Sequence, residues 1–77
     1  MSIVDNQSMN TRALGLNIKA ERNRKEFSQE KLGELVNLST NSISLIEKGR
    51  QIPNAINLYM IAKVLEVDIK ELFKGIE

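Results

Sequence analysis

The side chains able to do chemistry are few in kind. The chain has no cysteine and no histidine. A disulfide, a zinc-thiolate site and a thiol nucleophile are therefore excluded, and any enzyme would have to run on carboxylates, lysines or hydroxyls alone. Glu30 and Glu34, four residues apart, could be read as a carboxylate pair for acid-base work. With no pocket or histidine beside them, two like charges on an open helix face read more simply as solvated surface. A second constellation is Thr40, Asn41, Ser44, Leu45 and Lys48, which fall together on one side of a helix while Ile43 and Ile46 fall on the other. Its polar members both donate and accept hydrogen bonds. Such a face suits base edges in a DNA major groove, which admits one α-helix: asparagine can bond adenine bidentately, and threonine offers a hydroxyl or a methyl. Leu45 would meet thymine methyls, pack under a partner, or stay exposed. The plain alternative is that Ser and Thr merely solubilise the helix.

The flanking residues position this face. Ser28 is an N-cap for a helix over residues 29–36, with Leu32, Leu35 and Val36 as its buried stripe. Asn37 suits the left-handed conformation of a helix end, and Leu38 fills the corner. Ser39 caps a second helix over residues 40–48, which stops at Gly49. Gly33 is small where two perpendicular helices must approach closely. Two capped helices of about eight residues across a three- to four-residue turn are the helix-turn-helix signature.

The residues that carry a family likeness are now in view: Ser28-Gln29-Glu30, Leu32-Gly33, Leu38-Ser39, Ile43-Ser44, Ile46-Glu47, Gly49 and Pro53. Together they closely resemble the lambda-repressor and Cro-type (XRE-like) helix-turn-helix family, over roughly residues 14–73. The resemblance implies an all-α, compact, five-helix DNA-binding domain with the helix-turn-helix at helices 2 and 3. It implies base contacts from Thr40, Asn41, Ser44 and Leu45, and phosphate contacts from Gln29, Ser39, Lys48 and Arg50. Arg22 occupies the next core register after Leu14 and Ile18 on a first helix over residues 11–25, so its charge needs a partner. The family implies Glu47 as that partner; a phosphate clamp is the functional alternative for Arg22, and both roles hold together if the guanidinium faces the DNA backbone. Acidic residues at positions such as Glu30 and Glu34 touch RNA polymerase in related activators.

The rest of the chain sets bounds. Its 77 residues, 42% apolar, make one domain with a small core. No apolar run approaches a membrane span and no signal pattern opens the chain, so a cytoplasmic, bacterial or phage-encoded protein is expected. Residues 1–10 lack periodicity and read as a flexible N-terminal tail, leaving 11–77 as the domain. Net charge is only +1, weak for a nucleic-acid binder, but residues 1–26 carry +2 and residues 51–77 carry −1. Phe27 should staple the entry to the second helix. Asn54 caps a fourth helix over residues 55–65, apolar nearly all round, so a second subunit is expected over Ile56, Met60 and Val64, joined by Ile76. Where the family often has glycine after this helix, the chain has Glu66. Asp68 and Glu71 resemble a capping box for a last helix over residues 69–74, whose Leu72 and Phe73 return to the core. The functional expectation is sequence-specific binding of double-stranded DNA by a homodimer, on a pseudo-palindromic operator with half-sites about one helical turn apart. A repressor or autoregulatory controller fits, similar in size to phage repressors and restriction-modification controllers and governed by concentration or a partner protein. No cofactor, metal or small-molecule ligand is implied. The alternative is an antitoxin or bridging-type protein-interaction module on the same fold.

Overall fold

A computed structural model describes residues 10–76. Four α-helices, α1 Thr11–Arg24, α2 Gln29–Val36, α3 Thr40–Glu47 and α4 Ala55–Leu65, are followed by a 3-10 helix, Ile69–Phe73. The same local chemistry starts every α-helix. Asn10, Ser28, Ser39 and Asn54 each accept the backbone N–H three residues on, at 2.8 to 3.0 Å, which stabilises each helix by about 1 kcal/mol.

The helix ends are equally uniform. Glu26, Asn37, Gly49 and Glu66 all adopt left-handed backbone, with φ between 60° and 77°. Each is followed by an N–H reaching back five residues: Phe27 to Arg22 at 3.1 Å, Leu38 to Gly33 at 2.8 Å, Arg50 to Leu45 at 2.9 Å and Val67 to Ala62 at 3.1 Å. These are Schellman closures, which satisfy carbonyls the helix leaves open and favour glycine or asparagine. Here glutamate fills two of the four. At Glu66 the side chain pairs with Lys25 across the surface.

All four α-helices and the 3-10 segment enclose one core, centred on Ile18, Leu32, Ile43, Ile46, Ile61, Leu65 and Leu72. Several sequence expectations need correction. The expected fifth helix is a 3-10 turn: Glu71 N–H bonds to the Asp68 carbonyl at 2.8 Å, and the Glu71 carboxylate pairs with Lys74 at 2.5 Å. At three residues per turn only Leu72 points fully inward, and Phe73 is left 38% exposed. Leu35 is 37% exposed because the buried face of α2 is centred on Leu32, Gly33 and Val36, about 100° away. Asn10 is no tail residue: it caps α1, and its N–H bonds to the Ile76 carbonyl at 2.8 Å. The rest of the expected tail, residues 1–9, lies outside the described residues. Ile76 lies in the chain's own core at 7% exposure, drawn in by that bond, and so does not belong to an outer contact face.

Candidate nucleic-acid interface

A buried ion pair fixes how α1, α2 and α3 meet. Arg22 Nε donates to Glu47 Oε2 at 2.6 Å and Nη2 to Oε1 at 3.1 Å, in the bidentate geometry that suits guanidinium and carboxylate. Arg22 Nη1 donates to the Phe27 carbonyl at 2.7 Å. Glu47 Oε1 also accepts from Gln29 Nε2 at 3.1 Å, which ties the first residue of α2 into the same pair. Arg22 is only 7% exposed and each of its three guanidinium nitrogens donates within the protein, so the arginine holds α1, α3 and the start of α2 together.

Two glycines set the distances. A Cβ on Gly33 would stand 2.5 Å from the Leu38 carbonyl, which makes the turn between α2 and α3 possible. A Cβ on Gly15 would stand 2.4 Å from the Ile46 carbonyl oxygen and 2.5 Å from that of Glu47. The end of α3 therefore rests directly on the backbone of α1. The Thr11 hydroxyl donates to the Gly49 carbonyl at 3.3 Å, joining the start of α1 to the loop after α3.

With Ile43, Ile46 and Glu47 buried, α3 turns its other side outward. Thr40, Asn41 and Lys48 are exposed; Ser44 and Leu45 are half-buried. Ser39 is exposed, with its hydroxyl oxygen used as the cap acceptor and its proton free to donate. Gln29 is half-buried with one amide hydrogen committed to Glu47. Glu30 and Glu34 are exposed on α2. At the C-terminal end of α3 lies a cleft of about 350 Å³, lined by Arg12, Leu16, Lys19, Gln29, Ser44, Glu47, Lys48 and Arg50. Four cations, two on α1 and two on the segment just after α3, thus gather where the exposed stripe of α3 ends.

The profile of the helix-turn-helix family matches residues 18–72. The chain belongs to the XRE-type helix-turn-helix family of DNA-binding transcriptional regulators. It is 36% identical over 67 residues to repressor protein C2 of Salmonella phage P22, a match covering 87% of this chain and 31% of that repressor. The chain thus spans about a third of that relative's length. The crystal structure of the P22 c2 repressor in complex with a synthetic operator is similar with a TM-score of 0.75 at 34% identity, over 80% of this chain and 94% of that one. The restriction-modification controller protein C.AhdI from Aeromonas hydrophila gives a TM-score of 0.78 at 27% identity, over 82% of this chain and 96% of that one. These relatives are transcription regulators, not enzymes.

As a family member the chain has groups that motif reading alone passes over. Arg12 and Lys19 join Lys48 and Arg50 at the cleft. Their seven-residue spacing, almost two full turns, puts them on one stripe of α1 with Leu16 between them, and that spacing was the available signal. Gly15 carries no comparable signal, because what it faces is thirty residues away.

Proposed function

We propose that this chain binds double-stranded DNA sequence-specifically as a homodimer and represses transcription from the promoter it occupies. The observation that carries the reading is the continuity of two surfaces: an outward stripe of Thr40, Asn41, Ser44 and Leu45 runs into a cleft edged by Lys48 and Arg50. The stripe reads base edges, while the cations, Gln29 and Ser39 hold flanking phosphates. The P22 repressor solved with its operator supports the same use of the fold.

For the dimer, Ile56 is 71% exposed on the side of α4 turned away from the core, with half-buried Met60 and Val64 beside it. A two-fold pair of reading helices then calls for an inverted repeat. Selection of bound sequences from a random duplex pool tests the whole reading. An enriched inverted repeat is the expected result. A folded protein that enriches nothing would defeat it in favour of a protein-binding role. Changing Thr40 and Asn41 together to Ala should abolish preference for the selected sequence, and Met60→Glu should leave a folded monomer by sedimentation.

A further inference from the structure

We propose that the cleft between α1 and the end of α3 is a binding site for a small anion bearing two or more phosphoryl groups, whose occupancy excludes the DNA backbone from the same cations. The site stands on its own geometry; only the consequence for operator binding rests on the function proposed above.

Arg12, Lys19, Lys48 and Arg50 converge on a concavity of about 350 Å³, within the range of about 300–1,000 Å³ typical of small-molecule sites. Among the described residues none of the four is in an ion pair; the pairs present are Arg22 with Glu47, Arg24 with Glu21, Lys25 with Glu66 and Lys74 with Glu71. The carboxylate in the cleft wall, Glu47, is already satisfied by Arg22 and Gln29, so it offers the four cations little relief. A concave surface edged by unpaired charges of one sign focuses its field and raises the local concentration of counter-ions. Charge of at least two, spread over several oxygens, is what four cations from two elements can grip at once, and guanidinium groups favour phosphoryl oxygens bidentately. The remaining amide hydrogen of Gln29 and the Ser44 hydroxyl add neutral donors. Leu16, 49% exposed in the cleft wall, gives an apolar surface beside the charges. Inorganic pyrophosphate and the polyphosphate tail of a nucleotide share the chemistry recognised here, and Leu16 is the feature that tells them apart.

The test uses the whole chain without DNA. Pyrophosphate and, separately, ATP are titrated at constant ionic strength while backbone amide resonances are followed, with sodium chloride and sulfate as matched controls. The expected result is a saturable shift confined to residues around the cleft, with a Kd of about 1 mM or tighter. Arg12→Ala and Lys19→Ala should each weaken it severalfold while Lys70→Ala, which does not line the cleft, leaves it unchanged, and Leu16→Ser should weaken ATP more than pyrophosphate. Shifts that follow ionic strength alone, or that Lys70→Ala weakens equally, would overturn the site. Competition against the selected duplex then reads the consequence: saturating pyrophosphate should lower its affinity beyond the sodium chloride control, and no such loss overturns the mutual exclusion. Because the titration contains no DNA, a failed selection and a failed cleft give different results.

Discussion

Glu47 accepts three hydrogen bonds on one carboxylate, from α1 and α2, while belonging to α3. Removing it strands a buried guanidinium. Glu47→Ala should therefore destabilise the fold by about 3–5 kcal/mol, a large part of what a domain this size has, and urea unfolding will read it. The double variant Arg22→Met, Glu47→Leu should recover much of that, because two apolar side chains need no partner. The register of Leu14, Ile18 and Arg22 made the arginine legible in the sequence as a charge in a core position. Its partner was legible only through family likeness, and the third arm from Gln29 was not, since it depends on how two helices lie across each other. A second charge at this scale behaves differently. Hydrogen bonding to Lys25, and then its charge, hold the exposed Glu66 carboxyl below its ordinary value of 4.5. A lowered folded value means the pair's contribution is complete above the ordinary value and is lost as pH falls through the folded one. Glu66→Gln should accordingly lower the melting temperature slightly at neutral pH and converge with the parent in acid.

Among the elements, α1 and α3 are set by an absence of side chain. A methyl group at Gly15 would meet two carbonyl oxygens, 2.4 and 2.5 Å away, that belong to backbone and cannot rotate aside. Gly15→Ala should cost about 1–3 kcal/mol or more, and it should weaken DNA binding further than its stability loss explains, because it tilts the helix bearing Arg12 and Lys19. Comparing thermal melts with duplex affinity measured well below the melting point separates the two effects. Helix bounds were readable at this scale because Ser28, Asn37, Ser39, Gly49 and Asn54 act locally. The C-terminal segment was not. The carbonyls at its end are held by Asn17, whose amide donates to Leu72 and Lys74 at 2.9 and 2.8 Å from fifty-five and fifty-seven residues away, a contact that no local pattern shows. The placement of Leu35 outside the core likewise follows from the angle at which α2 meets its neighbours.

For the whole molecule, charge distribution matters more than the net +1. The sequence showed a lean toward the N-terminal half; folding concentrates it, bringing Arg12 and Lys19 beside Lys48 and Arg50. Each phosphate neutralised contributes about 0.9 to the slope of log affinity against log salt. Lys48→Ala should then reduce that slope by about 0.9 for each half-site, hence by twice as much for a dimer, with little change in which sequence is preferred. Titrations at several salt concentrations measure it and report stoichiometry as well. The helix ends carry a different lesson about the same molecule. Glu26 and Glu66 occupy left-handed positions that glycine fills without strain, so Glu26→Gly should raise the melting temperature, by up to about 1 kcal/mol of added stability. Glycine stands at one of the four closures, Gly49, and glutamate at two, so some stability is left unclaimed there. Changes in Thr40, Asn41 or Leu45 that retarget the reading helix at some expense in packing draw on the small net stability any domain has. Making Glu26→Gly first would offset such losses and widen the range of operators the fold can be evolved to read.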